Sequence, residues 1–176
     1  MTWEERIAGV WADGTLSDED RIAAIDRLAS ERDEDDPVAL FERAGARDSA
    51  GREQDAEVLY RRALAGALPE QIRIQAVIQL ASTVRNLGKT AESVELLRRE
   101  HETDPDGPLH DAVAAFYALA LTSAGREREA VAVALSALAP HLPRYTRSVA
   151  AYADELAHAG GGMPTANTAE GPQTPR

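Results

Sequence analysis

The chain has 176 residues, of which 44% are hydrophobic and 28% charged, a composition typical of one folded domain rather than of a disordered chain. Its formal net charge is −11 and it has no basic patch, which disfavours binding to nucleic acid or to an anionic membrane surface. It contains no cysteine, so disulfides, thiolate metal sites and a cysteine nucleophile are excluded.

The first 36 residues predict two short helices that form a degenerate repeat unit. Ser17 can cap the second helix, whose first turn contains three acidic residues, Asp18, Glu19 and Asp20. The segment carries twelve acidic and four basic residues, and we interpret its last six, ERDEDD, as a solvated connection. The alternative is that this acidic run attracts a basic partner.

Glycines at positions 14, 51, 88 and 125 recur every 37 residues, and a fixed period of this size is typical of stacked helical repeats. Small residues stand seven positions before and five positions after the last three glycines: Ala44, Ala81 and Ala118, then Ala56, Ser93 and Ala130. We expect two antiparallel helices that cross closely at the small residues, with a left-handed glycine closing the first helix. Such pairs are predicted for residues 37–69, 70–106 and 107–141.

The triplet Gly88, Lys89 and Thr90 resembles the end of a phosphate-binding loop. The first glycine of that motif would fall at Thr83, and the preceding segment, IRIQAVIQLAST, has helical rather than strand periodicity. We therefore interpret Gly88 as a turn, Lys89 as an exposed residue and Thr90 as the N-cap of the next helix.

The last predicted element is a capping helix over residues 142–159. It carries Tyr145, Val149, Tyr152 and Leu156 on one face, and a stack of repeats needs such an end piece to cover its last apolar surface. Residues 160–176 are turn formers and polar residues, which predicts a disordered tail.

The segment LFERAGARDSAGREQDAEVLYRRAL resembles the tetratricopeptide-repeat pattern, with Leu40, Ala44, Gly51, Ala56, Tyr60 and Ala63 in the family's positions. The next unit departs from that pattern at Ser93, Leu97 and Glu100, and the third unit lacks the aromatic residue. From about residue 37 to 140 the chain is similar to the small stand-alone bacterial proteins called tetratricopeptide-repeat group 5. The resemblance implies an all-α fold over residues 1–159, a right-handed superhelix of antiparallel helix pairs with a C-terminal capping helix.

The resemblance also implies a concave groove, lined by the first helix of each pair, that holds a peptide. Transferring the groove positions by the repeat frame predicts these residues: Trp11, Phe41, Gly45, Asp48, Ile78, Ser82, Arg85, Asn86, Ala115, Leu119 and Thr122. The alternative for Phe41 and Leu119 is that they simply pack against neighbouring helices. Phe41 and Ile78 stand where family members that bind a free C-terminus have lysine, so that mode of recognition is not expected.

No catalytic, cofactor or metal site is predicted, because the four histidines are scattered and no H-E-x-x-H motif or constrained carboxylate pair is present. We interpret His101 as a partly buried histidine near a helix C-terminus. A metal site built from His101, Asp104, Asp106 and His110 is a disfavoured alternative, since a proline-glycine break separates those residues.

The N-terminal segment MTWEERIAG lacks the basic start and apolar run of a signal peptide. The longest uncharged stretch, at 112–125, is too short to span a bilayer. We therefore expect a soluble cytoplasmic protein.

Three functions are compatible with these observations. The first is a non-catalytic interaction module that binds a protein or peptide of unknown identity in the groove. The second is a structural protein that self-associates, for example as a homodimer, through the apolar run at 112–142. The third is an enzyme built on a helical solenoid, because a fold alone does not exclude activity.

Overall fold

A computed structural model describes residues 1–105 and 107–158, and within these ranges the secondary structure is helical, without strands. The helices are α1 (Trp3–Ala12), α2 (Asp18–Ala29), α3 (Pro37–Ser49), α4 (Glu53–Ala65), α5 (Glu70–Asn86), α6 (Thr90–Thr103), α7 (His110–Ser123), α8 (Glu127–Leu138) and α9 (Thr146–His158), with a 3₁₀ turn at Ala139–His141. Consecutive helices pack against each other, and α5 also contacts both α3 and α7. Helices α3, α5 and α7 therefore form one layer, which confirms the predicted all-α repeat solenoid.

The three repeat glycines adopt the left-handed conformation, with φ of 69° at Gly51, 80° at Gly88 and 72° at Gly125. At each turn, the N–H of the residue after glycine donates to a carbonyl five residues earlier. The N···O distances are 2.9 Å for Arg52 to Arg47, 2.8 Å for Lys89 to Val84 and 2.9 Å for Arg126 to Leu121. This is the Schellman arrangement that ends a helix at glycine, so the predicted role of the 37-residue frame is confirmed at these three positions.

The N-terminal helix pair forms and packs onto the first full repeat. Ser17 Oγ accepts the Asp20 N–H at 3.1 Å, which confirms the predicted start of α2. The apolar residues of this pair form a core with α3: Ile7, Ile22, Ile25, Leu28 and Ala46. Gly14 does not share the left-handed conformation of the other three glycines, so the N-terminal pair does not keep the glycine turn of the 37-residue repeat.

Five of the six small side chains of the predicted pattern are buried, and the exception is Ala118, which is half-buried. Ala44, Ala56, Ala81 and Ser93 are all fully buried. Helix α5 supplies Leu80 and Val84 to a core shared with α3 and α4, and Ile74 and Ile78 to a core shared with α6, α7 and α8. Helix α5 thus contributes to the cores of two successive repeats.

The structure explains why Glu100 stands where the family pattern has a small residue. Its carboxylate is buried and accepts two hydrogen bonds from the Arg73 guanidinium, at 2.8 and 2.7 Å. Arg73 lies on α5 and Glu100 on α6, so an ion pair joins the two helices of this repeat.

The predicted N-cap at Thr90 is wrong. Thr90 is the first residue of α6, and the N-cap position falls on Lys89 because the Schellman turn leaves only three residues between the helices. Lys89 instead contacts the Glu57 carboxylate, with Nζ 2.6 and 2.7 Å from its two oxygens. The Gly-Lys-Thr triplet is therefore a turn between helices, as predicted, with its lysine tied to the preceding repeat.

The end helix begins at Thr146, later than the predicted start near residue 142. Tyr145 precedes it with a φ of 70° and is 74% exposed, and Tyr152 is also exposed. The face packed on α8 instead centres on the buried Ala153, because a small side chain lets the two helices approach. The prediction that both tyrosines lie on the packed face is wrong.

The predicted tail, residues 160–176, lies outside the described residues. In the part that is described, no helix combines the length and apolar content needed to cross a bilayer.

Candidate functional site

A cavity of about 500 Å³ opens on the face formed by α1, α3 and α5, and we call it the inner cavity. Its walls come from four helices. They are Trp11 of α1, then Phe41, Glu42, Gly45, Asp48 and Ser49 of α3, Tyr60 of α4, and Gln75, Gln79, Ser82 and Asn86 of α5.

The cavity exists because one stripe of α5 is polar. Gln75, Gln79, Ser82 and Asn86 follow one another at steps of four, three and four residues, which places them on one face of the helix. Residues 42, 45 and 49 of α3 occupy the same positions one repeat earlier. Two successive repeats therefore present equivalent positions to the same space, and small or polar side chains leave that space open.

Aromatic side chains form one wall of the inner cavity. The rings of Phe41 and Tyr60 lie with centroids 6.2 Å apart, and the Tyr60 hydroxyl donates to Gln79 Oε1 at 2.6 Å. A Cβ atom on Gly45 would lie 3.4 Å from the Trp11 ring. The missing side chain at position 45 thus lets the indole lie close to α3.

Two carboxylates in the wall have no cationic partner among the described residues. Burial raises the pKa of Glu42, although a hydrogen bond from the Trp11 indole N–H, 2.7 Å from Glu42 Oε2, partly offsets this. Burial also raises the pKa of Asp48, against a hydrogen bond from Thr83 at 2.9 Å, and the charge of Glu53 raises it further. The inner cavity is therefore lined by two carboxyl groups and by no arginine, lysine or histidine of the described residues.

The arginines nearest in sequence to these two acids do not line the inner cavity. Arg43 and Arg47 lie between the two acids in the α3 sequence, but both bind Asp26 of α2, each at 2.9 Å. The arginines of α3 thus neutralise Asp26 on the α2 side of the helix. Glu42 and Asp48, on its cavity side, have no cationic partner among the described residues. Burial, followed by the charges of Asp48 and Glu42, raises the pKa of the Tyr60 hydroxyl, which stays protonated as a donor.

Six of the residues predicted for the groove line the inner cavity. They are Trp11, Phe41, Gly45, Asp48, Ser82 and Asn86. Phe41 is also buried in the core, which agrees with its packing interpretation, and its role in binding stays a prediction.

The other predicted groove residues lie elsewhere. Ile78 is 6% exposed and packs in the core shared with α6 and α7, so its assignment to an open groove is corrected. Arg85 is half-buried outside the cavity lining, 3.5 Å from the Asn86 amide oxygen. Leu119 is 49% exposed and Thr122 is exposed, both on α7 beyond the cavity. Ala115 is exposed on the same helix.

Sequence reasoning missed Glu42, Ser49, Tyr60, Gln75 and Gln79 as lining residues. A signal was present for the two glutamines, because they belong to a polar stripe at helical spacing on α5. The predicted set takes Ile78 of α5 instead of the next residue, Gln79, and one residue turns the helix by about 100°. The side chain of Ile78 therefore faces the core instead of the cavity.

An apolar trough of about 550 Å³ adjoins the inner cavity and shares Trp11 and Glu42 with it. The remaining residues that line it are Trp3, Glu4, Ile7, Ala8, Ala12, Val38 and Ile72. A bound segment that leaves the cavity on this side would meet mainly aliphatic and aromatic side chains.

The histidines are scattered along the sequence, but three of them line another cavity. This cavity lies between α6, α7 and the 3₁₀ turn. The rings of His101 and His110 stack with centroids 4.6 Å apart, and His141 Nε2 lies 2.9 Å from Asp111 Oδ2. Burial lowers the pKa of His101, and the neighbouring His110 lowers it further. His101 is therefore the partly buried histidine that the sequence predicts.

The described ranges contain no group of three or more histidine, aspartate or glutamate side chains arranged to hold a metal ion. Asp106, one of the residues of the disfavoured metal alternative, lies outside those ranges.

A family model described as a tetratrico peptide repeat matches residues 37–156, which is more than half of the chain. No curated protein and no solved structure matches the chain at a significant level. The matched residues run from the first residue of α3 into α9, the part of the chain that carries the repeat glycines. This chain belongs to the tetratricopeptide-repeat family.

Proposed function

We propose that this chain is a non-catalytic module that binds a peptide segment of a partner protein in the inner cavity. Tetratricopeptide repeats generally mediate protein–protein interaction. The observation that carries the proposal is the inner cavity itself, where equivalent positions of α3 and α5 leave a space of about 500 Å³ unfilled. A volume in the range of about 300–1,000 Å³ is typical of ligand sites.

The lining suits a peptide. The side chains of Gln75, Ser82 and Asn86 offer donors and acceptors for backbone amides, while Phe41 and Tyr60 offer apolar surface. The apolar trough extends the contact area towards α1, so an extended segment would contact both the first repeat and the N-terminal pair.

A selection of random twelve-residue peptides displayed on phage against the full chain tests the proposal. Ser82→Tyr places a large ring in the inner cavity, and Ser148→Tyr makes the same change at an exposed position of α9. We expect the selected peptides to lose at least about tenfold in affinity for Ser82→Tyr and to bind Ser148→Tyr like the parent, with helicity unchanged by circular dichroism. Peptides that bind both variants equally well, or a selection that enriches none, would refute the proposal.

Self-association is a second candidate, favoured by the outer face of α8. Val131, Ala134 and Leu138 lie at steps of three and four residues, and all three are exposed. An exposed apolar stripe of this kind is a common self-association surface. Light scattering over a range of concentrations tests this candidate: a mass that rises with concentration in the parent, and not in Val131→Lys/Leu138→Lys, supports it, while a monomeric mass throughout removes it.

A further inference from the structure

We infer that the inner cavity takes a cationic side chain, a lysine or an arginine, of the bound peptide. The inference rests on the proposed function and names the chemistry of its partner. It follows from three features of the cavity: its charge, its aromatic wall and its apolar border.

The charge of the cavity is unbalanced. Glu42 and Asp48 both border it, Glu53 adds negative potential at Asp48, and no arginine, lysine or histidine of the described residues lines it. The surrounding helices balance most of their charges, as Arg43 and Arg47 do with Asp26. A buried carboxylate without a cation is costly, and a ligand cation is the group that would relieve that cost.

The existing hydrogen bonds leave room for such a cation. Glu42 accepts a hydrogen bond from Trp11 at 2.7 Å and Asp48 accepts one from Thr83 at 2.9 Å, and the Tyr60 hydroxyl also lies beside Asp48. A carboxylate has about four acceptor sites on its two oxygens, so both acids retain capacity for an ammonium or guanidinium group. An anionic or purely aliphatic side chain would leave that capacity unused.

The aromatic wall favours an organic cation over a metal ion. Trp11, Phe41 and Tyr60 all border the cavity. Ring faces attract ammonium and guanidinium groups, and the apolar stem of lysine or arginine packs on the same surface. The described acids also do not form a group suited to a metal ion.

The apolar trough indicates what accompanies the cation. Trp11 and Glu42 line both the trough and the cavity, and Ile7, Val38 and Ile72 also line the trough. A peptide whose basic side chain enters the cavity therefore brings a neighbouring residue over an apolar surface. We expect a basic residue close to an aliphatic or aromatic one in the bound sequence.

The test uses the phage selection described above and a double-mutant cycle. Glu42→Gln/Asp48→Asn removes both charges and keeps an oxygen to accept from Trp11 and from Thr83. Glu34→Gln/Asp154→Asn is the matched control, since it removes one glutamate and one aspartate charge at exposed positions away from the cavity. Selected peptides are synthesised with each lysine or arginine kept or replaced by methionine, and affinities are measured at low and physiological salt.

We expect enriched peptides to contain a basic residue whose replacement lowers affinity at least about tenfold. The parent peptide should lose affinity to the same extent for Glu42→Gln/Asp48→Asn, and it should bind Glu34→Gln/Asp154→Asn like the parent protein. Combining Glu42→Gln/Asp48→Asn with the peptide change should cause no further loss than either change alone. Peptides without basic residues that still lose affinity for Ser82→Tyr would overturn this inference and leave the proposed function standing. Peptides indifferent to Ser82→Tyr, or no enrichment, would overturn both.

Discussion

The indole N–H of Trp11 donates a 2.7 Å hydrogen bond to the carboxylate of Glu42, and this contact joins the N-terminal helix pair to the first full repeat. Trp11 also borders both the inner cavity and the apolar trough. The degenerate pair at the N-terminus is therefore part of the candidate site as well as the end of the stack. Its α1 helix contributes the only indole ring that lines the inner cavity among the described residues.

Neutralising the cavity acids should stabilise the empty protein at neutral pH. The folded state raises the pKa of Glu42 and Asp48, so it favours their protonated forms, and the stability they contribute is lost as pH rises through the raised values. We expect Glu42→Gln/Asp48→Asn to unfold at a higher temperature than the parent at about pH 7.5, with the difference shrinking towards about pH 4. Thermal unfolding followed by circular dichroism measures this, and Glu34→Gln/Asp154→Asn should show no comparable gain.

Gly45→Ala should stabilise the protein slightly. Gly45 lies inside α3, where glycine costs about 0.5–1 kcal/mol relative to alanine. The new Cβ would lie 3.4 Å from Trp11 and 3.8 Å from the Tyr60 hydroxyl oxygen, which are ordinary contact distances. An increase of that size in the free energy of unfolding is expected from chemical denaturation, and a decrease would show that the indole cannot accommodate even a methyl group.

Gly88→Ala should destabilise the protein by about 1–2 kcal/mol, because an alanine is strained by that amount in the left-handed conformation that Gly88 adopts. No atom lies within 4 Å of the position where the Cβ would be built, so the cost comes from the backbone alone. Gly14→Ala is the control: its surroundings are equally open, and its φ is outside the left-handed region. Urea unfolding of both variants checks the prediction, and equal effects would contradict it.

Removing Arg73 should leave the buried Glu100 carboxylate without its partner. We expect Arg73→Met to lower the free energy of unfolding by about 2–3 kcal/mol, less than for a fully buried pair because about a third of the Arg73 side chain is exposed. Arg73→Met/Glu100→Met should recover part of the loss, since it removes the unpaired charge as well. A double variant that is less stable than Arg73→Met would show that the pair is not the source of the effect.

His101 should lower the stability of the parent as the solution becomes mildly acidic, a contribution opposite in sign to that of Glu42 and Asp48. Burial and then His110 depress the pKa of His101 below its ordinary value of 6.5, while the charge of Glu102 opposes this. The stability that the neutral ring contributes is present above that ordinary value and is lost as pH falls through the depressed one. His101→Leu should lose less stability between about pH 7.5 and pH 5. His158→Gln, at an exposed position near the end of α9, should behave like the parent.

The repeat architecture could be predicted because local rules determine it. Glycine at positions 51, 88 and 125 takes the left-handed turn through its own backbone freedom, and small residues such as Ala44 and Ala56 permit close crossing in any helical pair. The capping role of Ser17 likewise depends only on its neighbours in sequence. At Thr90, the preference of threonine for the N-cap position competed with the preceding glycine turn. The geometry of that turn decided where α6 begins.

The candidate site needed the tertiary structure. The sequence alone determined an all-helical stack and the helices that could line its inner face, because periodicity and turn chemistry act over a few residues. Only the packing decided that Ile78 faces the core while Gln79, one residue later, faces open space. Packing also paired Arg43 and Arg47 with Asp26 on one side of α3 and left Glu42 and Asp48 without a cation on the other. Charge balance and cavity shape depend on which helices meet in space, and no local pattern in the chain specifies that.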